Sequence, residues 1–357
     1  MAITAAMVKE LREMTGAGMM DCKKALNETN GDMEAAVEVL KKSGAAKMEK
    51  KASRIAAEGI ARVAIDGNSA VVAEVNSETD FVAKNETFQE FVQLVADNAL
   101  ASGLNGGKNG EDVEALLAMN GLKDVLIEKT ATIGEKLSVR RFEKVTGECV
   151  ASYLHAGGKI GVLVAADGAA DAKEALTNVA MQIAAMNPQY ISRNDIAQEE
   201  INKMREIIVD SSLNDPASLP KPILNALLNK ACAEKVWSDE DIAIYEEKKS
   251  NMNYLFNFLS KEAKAALVAL AMEDKENIIA NKIFNGAVEG RVSKQLKEIC
   301  LLDQTYVKAE DGKQTVAAYL KSVNSALVIK NVVRFEVGEG LEKKNEDFAA
   351  EVAAQLG

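Results

Sequence analysis

The residue types that most often carry out enzyme chemistry are sparse in this chain of 357 residues. His155 is the only histidine, which excludes multi-histidine metal sites and leaves one candidate for any histidine-dependent triad. The stretch 157–159 (GGK) lacks the upstream glycine and the following serine or threonine of a phosphate-binding loop. Acidic residues are plentiful, but their spread fits solvated helix faces, so only a carboxylate pair brought together by folding stays open. We therefore predict a protein without a cofactor and without covalent chemistry of its own.

Composition and charge narrow the class of protein further. The net charge of −11 argues against non-specific nucleic-acid binding, and an aromatic content of 4% gives no evident platform for stacking bases. We find no signal peptide, transit peptide or apolar run of membrane length, and the cysteines show no paired spacing. We therefore expect a cytoplasmic protein that binds neither nucleic acid nor a membrane directly. The four cysteines are Cys22, Cys149, Cys232 and Cys300.

The stretch 74–84 (EVNSETDFVAK) places an aromatic residue on a polar connection. Its first half predicts a strand, its second half begins a polar loop over 77–85, and Thr87 with Glu90 predicts the capped start of a helix. Two interpretations of Phe81 compete. Either it folds back into the core at the strand end, or it points outward as a functional residue on a loop held by a rigid scaffold.

Residues 1–53 predict a small module of three helices. Thr4 is expected to cap the first helix and Asp32 the third, which we expect to end at Gly44. The basic stretch 47–54 (KMEKKASR) is then interpreted as a linker. A module of this size has a thin core, so we expect it to lean on a neighbour or to carry a partner-binding face.

An internal repeat decides the predicted architecture. Each copy contains a strand hairpin, a helix and a closing strand, and the closing strands share the strings VRRFE and VRFE. The first copy occupies 54–145, and the second occupies 146–189 together with 303–340. We predict an α+β fold with two pseudo-symmetric three-stranded antiparallel sheets covered by helices. The second hairpin ends without an aromatic residue, which makes the loop around Phe81 peculiar to the first copy and favours its outward orientation.

The second copy is interrupted by residues 190–302, a segment far too long for a loop in a compact domain. Prolines break its beginning and the remainder has strong helical patterns, so we predict a helical insertion that forms a hairpin or a small bundle. Residues 341–357 predict a C-terminal helical module with Phe348, Val352 and Leu356 on one side.

Two long motifs resemble the bacterial translation elongation factor EF-Ts family. Residues 11–26 (LREMTGAGMMDCKKAL) are similar to its N-terminal signature, and 74–84 are similar to its second signature. The stretches 333–340 (VRFEVGEG) and 347–355 (DFAAEVAAQ) resemble its C-terminal part. The resemblance implies a guanine-nucleotide exchange factor for the GTPase EF-Tu. It also implies a ubiquitin-associated-like N-terminal module and a coiled-coil insertion, although the insertion here is much longer than the family's usual hairpin.

The resemblance also implies which residues contact EF-Tu. The motif at 79–82 (TDFV) matches the family loop that displaces magnesium near the phosphate site of the GTPase. Ile133 and Gly134 match a second contact, and His155 matches a family histidine at a hairpin turn. The matching loop residues are Thr79, Asp80, Phe81 and Val82. The residues that match the N-terminal contact surface are Arg12, Met19, Met20 and Lys23.

A competing hypothesis is a helical scaffold or binding module without exchange activity, acting through the long insertion. It would explain the sparse catalytic residues equally well. Acceleration of GDP release from EF-Tu by catalytic amounts of the protein discriminates the two hypotheses. Neither of them predicts a small-molecule substrate.

Overall fold

The computed structural model describes residues 3–249 and 252–342 of the chain. These residues fall into two compact units. One contains residues 3–187 and 305–342, and the other is Pro188–Gln304. Each unit has a hydrophobic core of its own.

The first described residues form a module of three helices. These are α1 (Ala5–Thr15), α2 (Met19–Glu28) and α3 (Met33–Lys51). Thr4 and Asp32 cap α1 and α3 as predicted, each accepting a backbone hydrogen bond with its side-chain oxygen. Leu11, Cys22 and Leu26 are fully buried between the helices, so the module has a real but small core.

The first copy of the repeat is an antiparallel sheet with the strand order β1-β2-β3. Its strands are β1 (Glu58–Asp66), β2 (Ser69–Ser77) and β3 (Ser138–Thr146). The helices between β2 and β3 are α4 (Asp80–Ala83), α5 (Glu86–Ala101), α6 (Val113–Leu117) and α7 (Leu122–Ile133). Helix α5 packs against β1 and β2, and Phe88, Phe91 and Val95 fill the space between them.

Two local predictions next to β2 are wrong. The connection 77–85 is not an irregular loop, because Thr79 caps the single helical turn of α4. Helix α5 is capped by Asn85 and not by Thr87 with Glu90. Asparagine is among the strongest N-cap residues, so the helix starts at the earlier of the two signals.

The predicted end of α3 at Gly44 is also wrong, and the proposed linker 47–54 is helical as far as Lys51. Gly44 lies where α3 packs against α7. A Cβ at this position would be 2.9 Å from Cγ2 of Ile127. The glycine therefore permits a close approach of two helices and does not terminate one.

The second copy begins with β4 (Cys149–His155) and β5 (Ile160–Asp167), followed by α8 (Lys173–Met186). The two strands form the predicted second hairpin. The sequence suggests Asp171, followed by Glu174, as the start of α8, but this interpretation is wrong, because the N-cap position is Ala172 and makes no side-chain cap hydrogen bond.

The segment Pro188–Gln304 is helical, as predicted. Its helices are α9 (Gln198–Asn214), α10 (Lys221–Ala233), α11 (Asp239–Lys248), α12 (Met252–Phe258), α13 (Lys261–Glu273), α14 (Lys275–Ala280) and α15 (Lys282–Ile299). Several of them surround one core, in which the Trp237 indole N–H donates a hydrogen bond of 2.9 Å to the Ala263 carbonyl. Of the two predicted forms, the segment takes that of a small bundle.

The chain then completes the second sheet with α16 (Val316–Val323) and β6 (Val328–Glu336), giving the strand order β4-β5-β6. The two sheets pack face to face. Val72 of the first sheet shares a core with Leu163 and Phe335 of the second. The approach is close at Gly161, where a Cβ would lie 2.8 Å from Cγ2 of Val72. Strand β2 is consequently buried on both faces.

The predicted α+β class with two three-stranded sheets is confirmed. The boundaries proposed for the individual domains stay predictions. The predicted C-terminal helix with Phe348, Val352 and Leu356 falls within 343–357, outside the described residues. No helix in the described part of the chain is long and apolar enough to cross a membrane.

Candidate functional site

The candidate site is centred on α4, which begins immediately beyond the buried strand β2. The Thr79 hydroxyl accepts a hydrogen bond of 3.4 Å from the Val82 N–H and so caps the turn. The Ser77 hydroxyl donates to the Thr79 carbonyl at 3.0 Å. A four-residue turn is thereby placed at the end of a rigid strand.

Phe81 points away from the protein. Its exposed fraction is 79%, whereas Ala83 in the same turn is buried and Val82 packs at the edge of the core. The interpretation that Phe81 fills the core at the strand end is therefore excluded. A large apolar side chain on a polar surface turn is suited to insertion into a pocket of a partner.

Asp80 lies beside Phe81 and pairs with Lys84 one turn later. The Lys84 Nζ atom is 2.6 Å from Asp80 Oδ2 and 5.9 Å from the centroid of the Phe81 ring. The hydrogen bond from Lys84 lowers the pKa of the Asp80 carboxyl, and Lys84 and Lys159 add smaller charge effects in the same direction. The turn thus presents an ionised carboxylate next to an apolar ring.

Glu135 ties α4 to the segment that precedes β3. Its carboxylate accepts hydrogen bonds from the N–H of Glu78 at 3.1 Å, from the N–H of Thr79 at 3.0 Å and from the Thr79 hydroxyl at 2.7 Å. The Glu78 carboxylate accepts in return from the Lys136 N–H at 2.5 Å and from Arg54 at 3.2 Å. Sequence reasoning missed both glutamates, because their roles depend on two segments that are distant in the chain.

Ile133 and Gly134 lie next to this tie. Ile133 is half-buried against the core that α5 and α7 share, and Gly134 is exposed. Gly134 ends α7 in the left-handed conformation (φ +87°) and donates to the Thr130 carbonyl at 3.2 Å. The structure therefore brings Ile133 and Gly134 together with the Thr79–Val82 motif, through the adjoining Glu135.

The four N-terminal site residues, Arg12, Met19, Met20 and Lys23, are all exposed. The exposed fractions of Met19 and Met20 are 60% and 75%. Their module is joined to α7, since the Thr132 hydroxyl donates to the Gly16 carbonyl at 3.3 Å. These residues form a second exposed region, which lies on α1 and α2.

His155 is exposed at the turn between β4 and β5. Its Nδ1 atom is 3.2 Å from the Tyr153 hydroxyl. The turn reaches the first sheet, where Arg62 donates to the Gly157 carbonyl at 3.5 Å and Lys159 forms an ion pair with Glu58. The histidine is thus on the surface of the second sheet, with no catalytic partner among the contacts described.

The described residues contain no group of three or more histidine, cysteine, aspartate or glutamate side chains that could hold a metal ion. All four cysteines are free, and burial raises the pKa of each thiol.

The family model described as elongation factor TS matches residues 78–339 of this chain. The match covers well over half of the 357 residues and includes α4, the end of α7 and the His155 turn. Proteins of this family are nucleotide exchange factors that act on EF-Tu and perform no covalent chemistry. From this match and the double-sheet fold, we conclude that the chain belongs to the elongation factor Ts family.

Proposed function

We propose that this chain promotes GDP release from EF-Tu by inserting Phe81 into an apolar pocket beside the magnesium and phosphate-binding elements of the GTPase. The observation that carries the proposal is the 79% exposure of Phe81 on a turn that is hydrogen-bonded to the rest of the sheet domain. A mobile exposed phenylalanine would have to be ordered on binding. This one is already held outward.

Asp80 is the second component of the proposed wedge. Its ion pair with Lys84 is exposed, and such pairs contribute little to stability. The carboxylate can therefore exchange its partner when the turn enters a charged site. In the complex, Asp80 and the adjacent backbone disturb the coordination of magnesium, which otherwise bridges the phosphates of the bound nucleotide.

Insertion of Phe81 alone does not supply enough free energy to drive nucleotide exchange. A factor that binds the nucleotide-free GTPase better weakens nucleotide binding by the same factor. Moving the GTPase from nearly all nucleotide-bound to nearly all nucleotide-free takes about 5.5 kcal/mol of differential affinity. Burial of one phenylalanine supplies about 1.5–3 kcal/mol. The remainder has to come from a wider interface.

The other exposed site residues supply this wider interface. Met19 and Met20 offer adaptable apolar contacts, and Arg12 and Lys23 offer charge beside them. Gly134 and His155 add contacts on the sheet domain. Together these regions fasten the wedge over an area on the order of 1,000 Å² or more, as expected of a specific protein–protein interface.

The test is the rate of labelled GDP release from EF-Tu in the presence of catalytic amounts of the Phe81→Ala variant. We expect the stimulation to fall about 10- to 100-fold, because the free energy of burying the ring is lost. The free energy of unfolding should change by less than about 0.5 kcal/mol, since the ring is exposed. Unchanged stimulation would show that Phe81 is not the wedge.

The matched control is Phe258→Ala, the same change at a phenylalanine that is 54% exposed in the helical insertion. We expect wild-type stimulation from this variant. If the wild-type protein binds EF-Tu without accelerating GDP release and Phe258→Ala abolishes that binding, the scaffold hypothesis based on the insertion replaces the present proposal.

A further inference from the structure

We infer that Glu135 is a positioning residue for nucleotide exchange: its carboxylate holds α4 in the orientation that displays Phe81. The inference rests on the proposed function of Phe81. It adds a residue that does not itself have to touch EF-Tu and that controls how well the wedge is prepared for binding.

The contacts between Glu78 and Glu135 form a reciprocal pair, here called the carboxylate clasp. Glu135 accepts hydrogen bonds from the N–H groups of Glu78 and Thr79, at 3.1 and 3.0 Å. Glu78 accepts from the Lys136 N–H at 2.5 Å. Each of the two chain segments therefore satisfies backbone donors of the other with a charged acceptor. Hydrogen bonds of this charge-assisted type are about twice as strong as neutral ones.

The clasp acts on α4 through Thr79. The hydroxyl of this residue donates to Glu135 Oε1 at 2.7 Å and accepts from the Val82 N–H at 3.4 Å. Glu135 thereby fixes the direction of the hydroxyl proton and leaves a lone pair facing the first turn of the helix. A helix of four residues is not stable on its own, so its persistence depends on contacts of this kind.

The clasp is separable from the core of the sheet domain. Glu78 and Glu135 are both half-exposed, whereas the core beneath is built from buried apolar residues such as Phe88 and Val75. Helix α5 begins afresh with its own cap at Asn85. Loss of the clasp is therefore expected to loosen α4 and the ring of Phe81 while leaving the sheet and α5 in place.

The experiment compares Glu135→Ala and Glu135→Gln with the matched control Glu90→Ala, an exposed glutamate on α5. Amide hydrogen exchange of the free proteins measures the order of residues 78–82. We expect exchange of these amides to be at least about tenfold faster in Glu135→Ala, because charge-assisted hydrogen bonds to two of them are lost. Glu135→Gln keeps one acceptor oxygen but no charge, so its effect should be intermediate. Glu90→Ala should match the wild type.

The second measurement is GDP release from EF-Tu over a range of factor concentrations. In Glu135→Ala, binding has to order α4, so the concentration that gives half-maximal stimulation should rise about tenfold. The maximal rate at saturation should be retained, because Phe81 itself is intact. A purely structural defect would instead lower the thermal unfolding midpoint and the active fraction. It would not raise the half-saturating concentration while leaving the maximal rate unchanged.

Thr79→Val gives an independent check. If Thr79 transmits the effect of Glu135, the double variant Thr79→Val/Glu135→Ala should be no more impaired than the worse single variant. Additive losses would contradict transmission through Thr79.

The outcomes also separate this inference from the proposed function. Unchanged protection of residues 78–82 in Glu135→Ala, or faster exchange of these amides with unchanged half-saturation, overturns the positioning role and leaves the Phe81 wedge standing. The wedge itself is overturned only by full activity of Phe81→Ala. If Glu135→Gln reaches half-maximal stimulation at a lower concentration than Glu135→Ala does, the result supports the positioning role.

Discussion

The chain leaves the middle strand of each sheet in a different way. After β2 it forms α4 and displays Phe81, whereas after β5 it turns at Gly168 (φ +90°) directly against the Ala326 backbone. At the end of each of these strands, carboxylates accept hydrogen bonds from backbone N–H groups. At the second, Glu148 accepts from the Gly168 N–H at 2.7 Å and Asp167 accepts from the Glu148 N–H at 3.1 Å. The comparison indicates that carboxylates accept backbone hydrogen bonds at the end of both middle strands, and that only in the first copy do they hold a displayed helical turn.

The middle strands differ in a second respect. In β5 the buried residues from Val162 to Ala166 are all apolar. In β2, Glu74 is fully buried and pairs with Arg140 at 2.9 Å and with Arg141 at 2.6 Å. A bulge in β3 brings these consecutive arginines to one carboxylate. The first copy therefore has both a buried ionic network within its middle strand and the displayed turn α4 immediately after that strand.

Among the variants that test this difference between β2 and β5, Glu74→Leu is expected to have the largest effect. The substitution leaves Arg141, which is 5% exposed, without its buried partner. We expect the free energy of unfolding to fall by about 3–5 kcal/mol, as is usual when one partner of a buried ion pair is removed. Urea denaturation measures the change in the free energy of unfolding, and hydrogen exchange of the β2 amides then measures the change locally.

The matched change in the second copy is Val164→Ala, which should cost about 2 kcal/mol by removing buried methyl groups. A loss below about 1 kcal/mol in Glu74→Leu would show that the ionic network contributes little to stability and does not set the first middle strand apart from the second.

A somewhat smaller effect is expected at the end of β5. In Gly168→Ala, the new Cβ would lie 1.9 Å from the Ala326 carbonyl oxygen and the residue would have to keep a positive φ. We expect a loss of about 3 kcal/mol in the free energy of unfolding, measured by urea denaturation, because the backbone has to move.

Gly67→Ala, in the β1–β2 turn, controls for positive φ alone, since no atom beyond its two chain neighbours lies within 4 Å of the position that its new methyl group would occupy. It should cost about 1–2 kcal/mol. Equal losses in the two variants would mean that the end of β5 is no more tightly packed than an open hairpin turn.

The smallest effect concerns the pH dependence of the ion pair between Asp80 and Lys84. Lys84 lowers the pKa of the Asp80 carboxyl, so the stabilisation from this pair is present above the ordinary carboxyl pKa and is lost as the pH falls through the lowered value. In Lys84→Met, the Asp80 pKa should rise towards its ordinary value. An NMR titration of the Asp80 carboxyl carbon measures it, and an unchanged pKa would remove Lys84 as the cause.

The sequence predicted those parts of the fold that depend on local pattern. The β1–β2 hairpin follows from alternation around Gly67 and Asn68, and the motif at 79–82 could be located from its resemblance to a family signature. The roles of Gly44 and Glu135 could not be predicted, because each depends on a neighbour from a distant part of the chain. Gly44 has the local appearance of a helix terminator, and only the position of Ile127 explains it.

The face-to-face packing of the sheets has a consequence for synthesis of the chain on the ribosome. The inner face of β2 is covered by residues that include Val333 and Phe335, which are translated after the whole helical insertion. Between the ends of β3 and β6 lie roughly 190 residues, or on the order of 10–40 s of elongation. During that interval the first sheet is complete in sequence, and Val150 and Leu163 of the second hairpin are available to it, but the part of the cover that β6 contributes is still missing. The core between the two sheets is therefore completed only when the last strand emerges, although most of the residues that form it are made long before.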